Sequence, residues 1–474
     1  MKSKINTAGW ATREFGEIDL GDQRLKDRLV KLADKLASSP ESPINQACGD
    51  WTNTKAAYRF FQNENVNEKK ILHSHVNNTL ERAKELRTVL SIQDTTYFNY
   101  TDHKKTTGLG MISKYSNKNS KKNTTNGLAM HTSFAVSPDG LPLGILDQAI
   151  YTRKPIPEGQ RRTKFTPIEN KESIRWLNSI RQTNEAFIGS QMQVVTICDR
   201  EGDFYELFEL GFQLQASLLV RAATDRNINK SGPYYKKKYE KLWSTIHALP
   251  CSGIIDVEIP ARDQKPARIA QLETRFGSII MNPPRQHIRH RTEKLPDIVL
   301  YAVNVIEKSP PTGEEALEWM LLTNLQVTSF EEAKEKVAWY CLRWRIEVFH
   351  KILKSGLKVE QCRLQSADRL IRYLTIMSII AWRIYWLTLI ARTNPELPCT
   401  AFVADEEWKV LYSKIKKTKS FPKKPPCVRE VARWIASLGG FLGRKGDGEP
   451  GVMTLWRGWK RLCDLSEGWI LALS

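Results

Sequence analysis

Two short apolar runs each close on an aspartate, and together they set the narrowest limit on the fold. Val89-Leu90-Ser91-Ile92-Gln93 runs into Asp94, and Val194-Val195-Thr196-Ile197-Cys198 runs into Asp199. Runs of this length and β-branched content suit buried strands of an α/β sheet. An acid at the end of a buried strand is costly unless something offsets its charge. In open α/β sheets ligands bind at such strand ends, and a cation relieves an otherwise unpaired carboxylate. A lone Asp more commonly caps a following turn or helix, so each strand taken singly leaves both readings open.

The surrounding pattern places these strands inside a longer plan. Leu25, Leu29, Leu32 and Leu36 recur at helical spacing, and after a turn at Ser39-Pro40 a second helical stretch covers residues 56–61. A small helical module is expected over residues 1–75. From Arg87 the chain turns to β-prone runs at 88–93, 128–136, 193–198 and 215–221, with an amphipathic helix over 171–181. Residues 227–310 are rich in Lys, Arg, Pro and Gly around the β-prone segments 253–259 and 298–306, which predicts a β insertion (about 222–325) that interrupts the α/β core. Trp319 to Thr323 reads as a strand, after which Ser329 and Glu332 form an S-x-x-E capping box that opens a long helix to Lys354. A turn at Asn394-Pro395 and a Lys- and Pro-dense loop at 414–426 bracket the helical end of the chain. The expected division is 1–75 helical, 76–375 α/β, and 376–474 helical.

Charge narrows the partner. The chain carries 72 Lys and Arg against 52 Asp and Glu, a net charge of +20, and such an excess favours a polyanion through release of counterions from phosphates. A basic protein with no such partner is the plainer alternative. The 8 cysteines are scattered without a CxxC pair and read as reduced, cytosolic thiols. There is no HExxH and no Cys/His zinc spacing, so any metal is expected to be a hard one. Residues 1–10 lack an apolar signal core, and the apolar stretch 374–390 is broken by Arg383, which predicts a buried helix. Neither export nor membrane spanning is expected, and the location is expected to be cytoplasmic.

On a helix of 3.6 residues per turn, Arg343, Glu347 and Lys354 all fall within about 60° of Tyr340. Leu342, Ile346, Phe349 and Leu353 form an apolar stripe a quarter to a third of a turn away, so the polar stripe is partly shielded. A simple solvated face would point away from the apolar stripe and would need no tyrosine. Geometry alone leaves both readings in place.

Asp94-Thr95-Thr96, Cys198-Asp199-Arg200-Glu201 and Tyr340-x2-Arg343-x3-Glu347-x6-Lys354 together resemble the cut-and-paste transposases of the insertion-sequence-four family. Trp10-Ala11, Leu20-Gly21-Asp22 and Ala57-Tyr58-Arg59-Phe60 extend the likeness to the front of the chain. Leu438-Gly439-Gly440-Phe441 and Leu455-Trp456-Arg457-Gly458-Trp459 extend it to the back. The resemblance implies an RNase H-like catalytic core in which Asp94, Asp199 and Glu347 form a DDE triad, with a β insertion between the second Asp and the Glu. The gaps of 105 and 148 residues between the acids agree with that arrangement.

Attack on a DNA phosphodiester needs an activated oxygen nucleophile, a stabilised leaving oxygen and tolerance of extra negative charge on phosphorus. Two Mg²⁺ ions, or Mn²⁺, about 4 Å apart meet all three needs, and oxygen ligands suit them. On the family pattern water cuts one strand, the freed 3′-OH attacks the opposite strand to form a hairpin, water reopens it, and the 3′-OH joins target DNA. The resemblance makes Tyr340, Arg343 and Lys354 phosphate contacts. It makes Trp319 the residue that stacks on a flipped thymine, with plain strand packing as the alternative, and it places Trp344 at the same pocket or in the core. Arg24, Arg28, Lys55 and Arg59 become DNA-facing cations of an N-terminal end-binding domain, or else solvated charges. Lys104 to Lys122, Arg161 and Arg162 would add charge along the DNA backbone. Trp456, Trp459 and Trp469 would serve a C-terminal helical dimerisation domain, or fill the core of a monomer. The partners implied are double-stranded DNA, as transposon ends and as target, and a second copy in a homodimer. A nuclease that never joins ends and a catalytically silent DNA-binding regulator are the competing functions.

Overall fold

The computed structural model describes residues 9–115, 123–154, 166–229, 240–259, 266–284, 287–291 and 293–473. The β-prone runs form β1 (Thr88–Asn99), β2 (Gly110–Tyr115), β3 (Asn123–Val136), β4 (Pro142–Tyr151), β5 (Gln193–Cys198) and β6 (Ser217–Arg221). The basic segment that follows gives β7 (Asn227–Asn229), β8 (Glu240–Lys241), β9 (Gly253–Ile259), β10 (Arg268–Met281), β11 (Ile298–Glu307) and β12 (Glu318–Thr323). All join one sheet in the order β2-β3-β1-β5-β6-β12-β11-β10-β7-β8, with β4 on β3 and β9 on β10. β1, β5 and β6 are parallel, and every other pairing is antiparallel. The described strands between residues 222 and 325 extend the sheet outward from β6 through β12, where Leu321 pairs with Arg221.

The central strands are covered on both faces, so even their polar residues Ser91, Gln93 and Thr196 are out of solvent. Leu90, Ile92, Val195, Ile197 and Leu219 feed one core with Ile346, Phe349 and the helix Ala367–Thr393. Cys198, Leu218 and Val220 feed a second core with Trp176 and Leu177 of Ile174–Ala186 and Leu207 and Phe208 of Tyr205–Gln213. The helix Ala367–Thr393 is long and apolar enough to cross a membrane, yet 94% of its apolar window is buried inside the protein.

The front of the chain is helical, as expected, with Asp22 and Asp50 capping Gln23–Ser38 and Trp51–Gln62. It is fastened to the sheet and to the helix Ala367–Thr393 by polar contacts. Arg82 of the helix Glu68–Ala83 donates to the Leu143 carbonyl at 2.6 Å, and Arg372 donates to the carbonyls of Phe61 and Val66 at 2.8 Å each. Glu68–Ala83 and Ala367–Thr393 run straight through residues 75 and 375, so the helical ends join the α/β part by continuous helices.

The expected single helix to Lys354 is broken into Phe330–Cys341, Trp344–Lys351 and a π-helical turn at Ile352–Gly356. Its capping box, Ser329 with Glu332, forms as expected. At the break, Leu342, Arg343, Arg345 and Ile346 each donate to the carbonyl three residues back, which overwinds the chain. The π turn underwinds it again, and Ile346, Phe349 and Leu353 all stay on the core side. An apolar period of 3.6 looks the same with or without two compensating defects, so the pattern could not show the break.

Candidate active site

The parallel register of β1 and β5 brings the two aspartates together. Thr88 pairs with Gln193 and Ile92 with Ile197, an offset of 105 residues, and the same offset carries Asp94 to Asp199. The two acids thus lie side by side where β5 ends. β1 itself continues to Asn99 along β3, with Asp94 opposite Thr132, so Asp94 lies within its strand and not at the end. Asp199 also fills the role of a cap. Its Oδ1 accepts from the Glu201 backbone N–H at 2.8 Å, at the start of the short turn Arg200–Gly202.

Glu347, in Trp344–Lys351, faces these acids from the helix packed on the sheet. Burial raises the Asp199 carboxyl above its ordinary value, and the negative charges of Asp94 and Glu347 push the same way, against Arg343 and the Glu201 N–H. Asp199 is therefore within electrostatic reach of both Asp94 and Glu347. Burial also pushes Asp94 up, but His350 and Arg343 more than offset it and hold its carboxyl below the usual range. Among the described residues no three His, Cys, Asp or Glu side chains are grouped closely enough to hold a metal ion in this conformation. On the helix, Glu347 is turned into an ion pair with Arg343, one turn back. The donor set still fits a hard divalent cation, since it offers carboxylate oxygens only and their mutual repulsion is what a cation relieves.

Around the acids stand the residues of the polar stripe. Tyr340 is 4% exposed, and its ring meets that of Trp319 edge-on at 5.3 Å. Trp319 is itself 9% exposed, so its indole packs in the core here. Lys354 lies in the π turn with its ammonium 5.8 Å from the Phe98 ring; burial lowers its pKa, and Glu360 and Asp94 draw it back up. Trp344 is 44% exposed with the Arg343 guanidinium 5.7 Å from its ring, which removes it from the core.

Two site residues escaped the sequence reading. Arg221, the last residue of β6, donates to the Glu318 carbonyl at 3.0 Å and hydrogen-bonds Tyr340. Its signal was present: it closes a β-prone run as the two aspartates do. His350 stands 3.6 Å from Asp94 and left no signal beyond its spacing from Glu347.

At the front of the chain the cations behave differently from one another. Arg24 is 3.0 Å from Asp22, and Arg28 donates to Asn53 at 3.3 Å. Lys55 and Arg59 are exposed on Trp51–Gln62, on the face that also exposes Trp51 and Tyr58. Arg161, Arg162 and residues 116–122 of the basic stretch lie outside the described residues. At the back, Trp456 and Trp459 are 4% and 3% exposed and fill the chain's own core.

A mixed sheet that brings two acids to neighbouring parallel strands, with a third acid on the covering helix, has the chemistry to hold a hard cation beside a phosphate. Three family models match the chain: Transposase DNA-binding over residues 7–66, Transposase DDE domain over 57–383 and Transposase Tn5 dimerisation domain over 379–474. The DDE match alone spans more than half of the sequence and implies an RNase H-like core. The chain belongs to the DDE transposases of the insertion-sequence-four family, of the kind that the Tn5 dimerisation domain typifies. It is a DNA-binding, dimerising transposase that depends on divalent metal.

Proposed function

We propose that this transposase works by cut and paste, with Asp94, Asp199 and Glu347 as its metal ligands. The observation that carries the reading is the β1–β5 register, which ends with Ile92 against Ile197 and, carried two residues on, brings Asp94 beside Asp199, since strands so far apart in sequence have no structural need to align two acids. Two Mg²⁺ ions bound among these carboxylates would activate the attacking oxygen and stabilise the leaving one. Arg343 must release Glu347 before the three acids can ligate together, and a DNA phosphate is the anion that would replace Glu347 on the guanidinium. Tyr340, Arg221 and Lys354 hold neighbouring phosphates and offset charge on phosphorus. Water opens one strand, the 3′-OH then attacks the other to leave a hairpin, and after reopening the same hydroxyl joins target DNA. Trp319 stacks on an extruded base once Tyr340 moves off its ring, and Trp344 borders the same pocket.

The division into an end-binding part (1–75), a catalytic part (76–375) with residues 222–325 as a β insertion, and a dimerisation part (376–474) goes with this reading. Lys55, Arg59 and Arg28 serve end binding, and two copies pair two ends in one synaptic complex in the cytoplasm. The test is an in vitro reaction of the purified chain with end DNA and Mg²⁺. Wild type should yield nicked, hairpin and target-joined products, and Glu347→Gln should yield none while still shifting end DNA on a gel. Hydrolysis without joining would favour the nuclease, and full activity in Glu347→Gln would remove Glu347 from the site.

A further inference from the structure

We infer that His350 is a positioning residue that orients the Asp94 carboxylate for metal ligation, an inference that rests on the metal-site reading above. His350 follows Glu347 by three residues on Trp344–Lys351, a spacing that puts both side chains on one face of the helix. The residue is 6% exposed. Its Nδ1 stands 3.6 Å from Asp94 Oδ2, just beyond hydrogen-bond range, and its Nε2 is buried without a hydrogen-bond partner.

A neighbouring histidine shows how unusual this is. His131, on β3, is fully buried, yet its Nδ1 lies 2.9 Å from Thr95 Oγ1 and its Nε2 3.3 Å from Gln93 Oε1. His131 is satisfied as a core histidine should be. His350 is not, and a buried polar group left unpaired costs about 1–3 kcal/mol. A leucine or phenylalanine would fill the same space beside Phe349 without that cost, so packing does not account for an imidazole here.

The polar edge of the ring faces the Asp94 carboxylate. A carboxylate that binds a cation through one oxygen is free to swing unless a donor fixes the other. Nδ1–H would supply that donor once the gap closes by less than about 1 Å, to an ordinary hydrogen-bond length. Partners of this kind set ligand orientation, and their loss typically weakens metal binding about 10- to 100-fold. The ring nitrogen concerned is Nδ1, and this makes the inference specific. The amide nitrogen of asparagine overlays Nδ1 of histidine, whereas that of glutamine overlays Nε2.

The test is titration of the full-length chain, without DNA, with MnCl2, following free Mn²⁺ by electron paramagnetic resonance. His350→Ala and His350→Gln should weaken binding about 10-fold or more, and His350→Asn should stay near wild type. Thermal midpoints without metal report any purely structural damage, and the Asn and Gln variants decide the matter if the Ala variant does not fold. Unchanged Mn²⁺ affinity in His350→Ala, or equal losses in the Asn and Gln variants, overturns the inference. Glu347→Gln is the control. If it weakens Mn²⁺ while His350→Ala does not, His350 alone is refuted; if Glu347→Gln leaves Mn²⁺ binding intact, the metal-site reading fails and this inference fails with it.

Discussion

Replacing Glu14 by glutamine should loosen the front of the chain from the sheet, because Glu14 is the anion at a buried junction of four segments. It lies in Trp10–Phe15, is 6% exposed, and accepts from Arg82 Nη1 at 3.2 Å and from His75 Nδ1. His75 Nε2 accepts from the Ile145 N–H of β4 at 2.9 Å, so the ring is neutral with its proton on Nδ1. The charge opposite Glu14 is therefore that of Arg82, whose guanidinium also lies 4.0 Å from the Trp382 ring. Burial pushes the carboxyl up, but Arg82 and His75 outweigh it and hold it at about 2 against an ordinary 4.5. That difference is worth about 3 kcal/mol, within the range of about 3–5 kcal/mol for breaking a buried pair. Because the folded value lies below the unfolded one, the contribution is complete above pH 4.5 and fades as the pH falls toward 2. His75, whose pKa burial lowers, acts in the same direction below its ordinary 6.5. At pH 7, amide hydrogen exchange in Glu68–Ala83 should quicken by about 100-fold in Glu14→Gln, and the acid loss of protection below pH 4.5 should flatten. Equal protection in the two proteins at pH 7 would refute the claim that this ion pair holds the junction.

Two further substitutions probe the back of the chain. Gly458→Ala places a methyl 1.7 Å from the Ile435 carbonyl oxygen, a backbone atom that cannot give way. The helices Val428–Leu438 and Val452–Leu473 must separate, at a cost of about 1–3 kcal/mol or more, and sedimentation should show less dimer on end DNA; an unchanged profile and melting point would show the contact to be slack. Arg383→Met removes a guanidinium held 4.8 Å from both the Trp10 and Trp459 rings, and with it a cation near Asp34, whose carboxyl burial raises to about 6. A loss of about 2 kcal/mol is expected, read as a lower thermal midpoint, and an unshifted midpoint would show that the sandwich adds no net stability.

Much of the fold was readable because burial on both faces leaves a plain mark. The runs at 88–93 and 193–198 carry Val89, Leu90, Ile92, Val194, Val195 and Ile197, which pack into cores on both sides of β1 and β5. The capping box at Ser329 was equally plain, because a cap is a local matter of hydrogen bonds between near neighbours. What sequence pattern missed is non-local. The segment 222–325 reads as β from composition, but only the pairing of Leu321 with Arg221 decides that it continues the sheet. A strand's own residues do not say which neighbour its edge will meet.

The site divides along the same line. Asp94 and Asp199 stood out as acids where acids are costly, and the offset of 105 residues between them became meaningful only as a strand register. Glu347 was found through its stripe on a helix, although that helix is broken on both sides of it. The break changes what the stripe means. Spacing on a regular helix puts Arg343 and Glu347 together as two contacts for separate ligands, DNA and metal; in the folded chain they are first of all contacts for each other. Attraction between a cation and an anion one turn apart is generic and local, whereas the roles proposed for them toward DNA and metal need a third party. Side-chain pairing in the free protein is thus the least informative guide to function at this site, and the backbone register that aligns Asp94 with Asp199 is the most informative, because no ligand is needed to hold it in place.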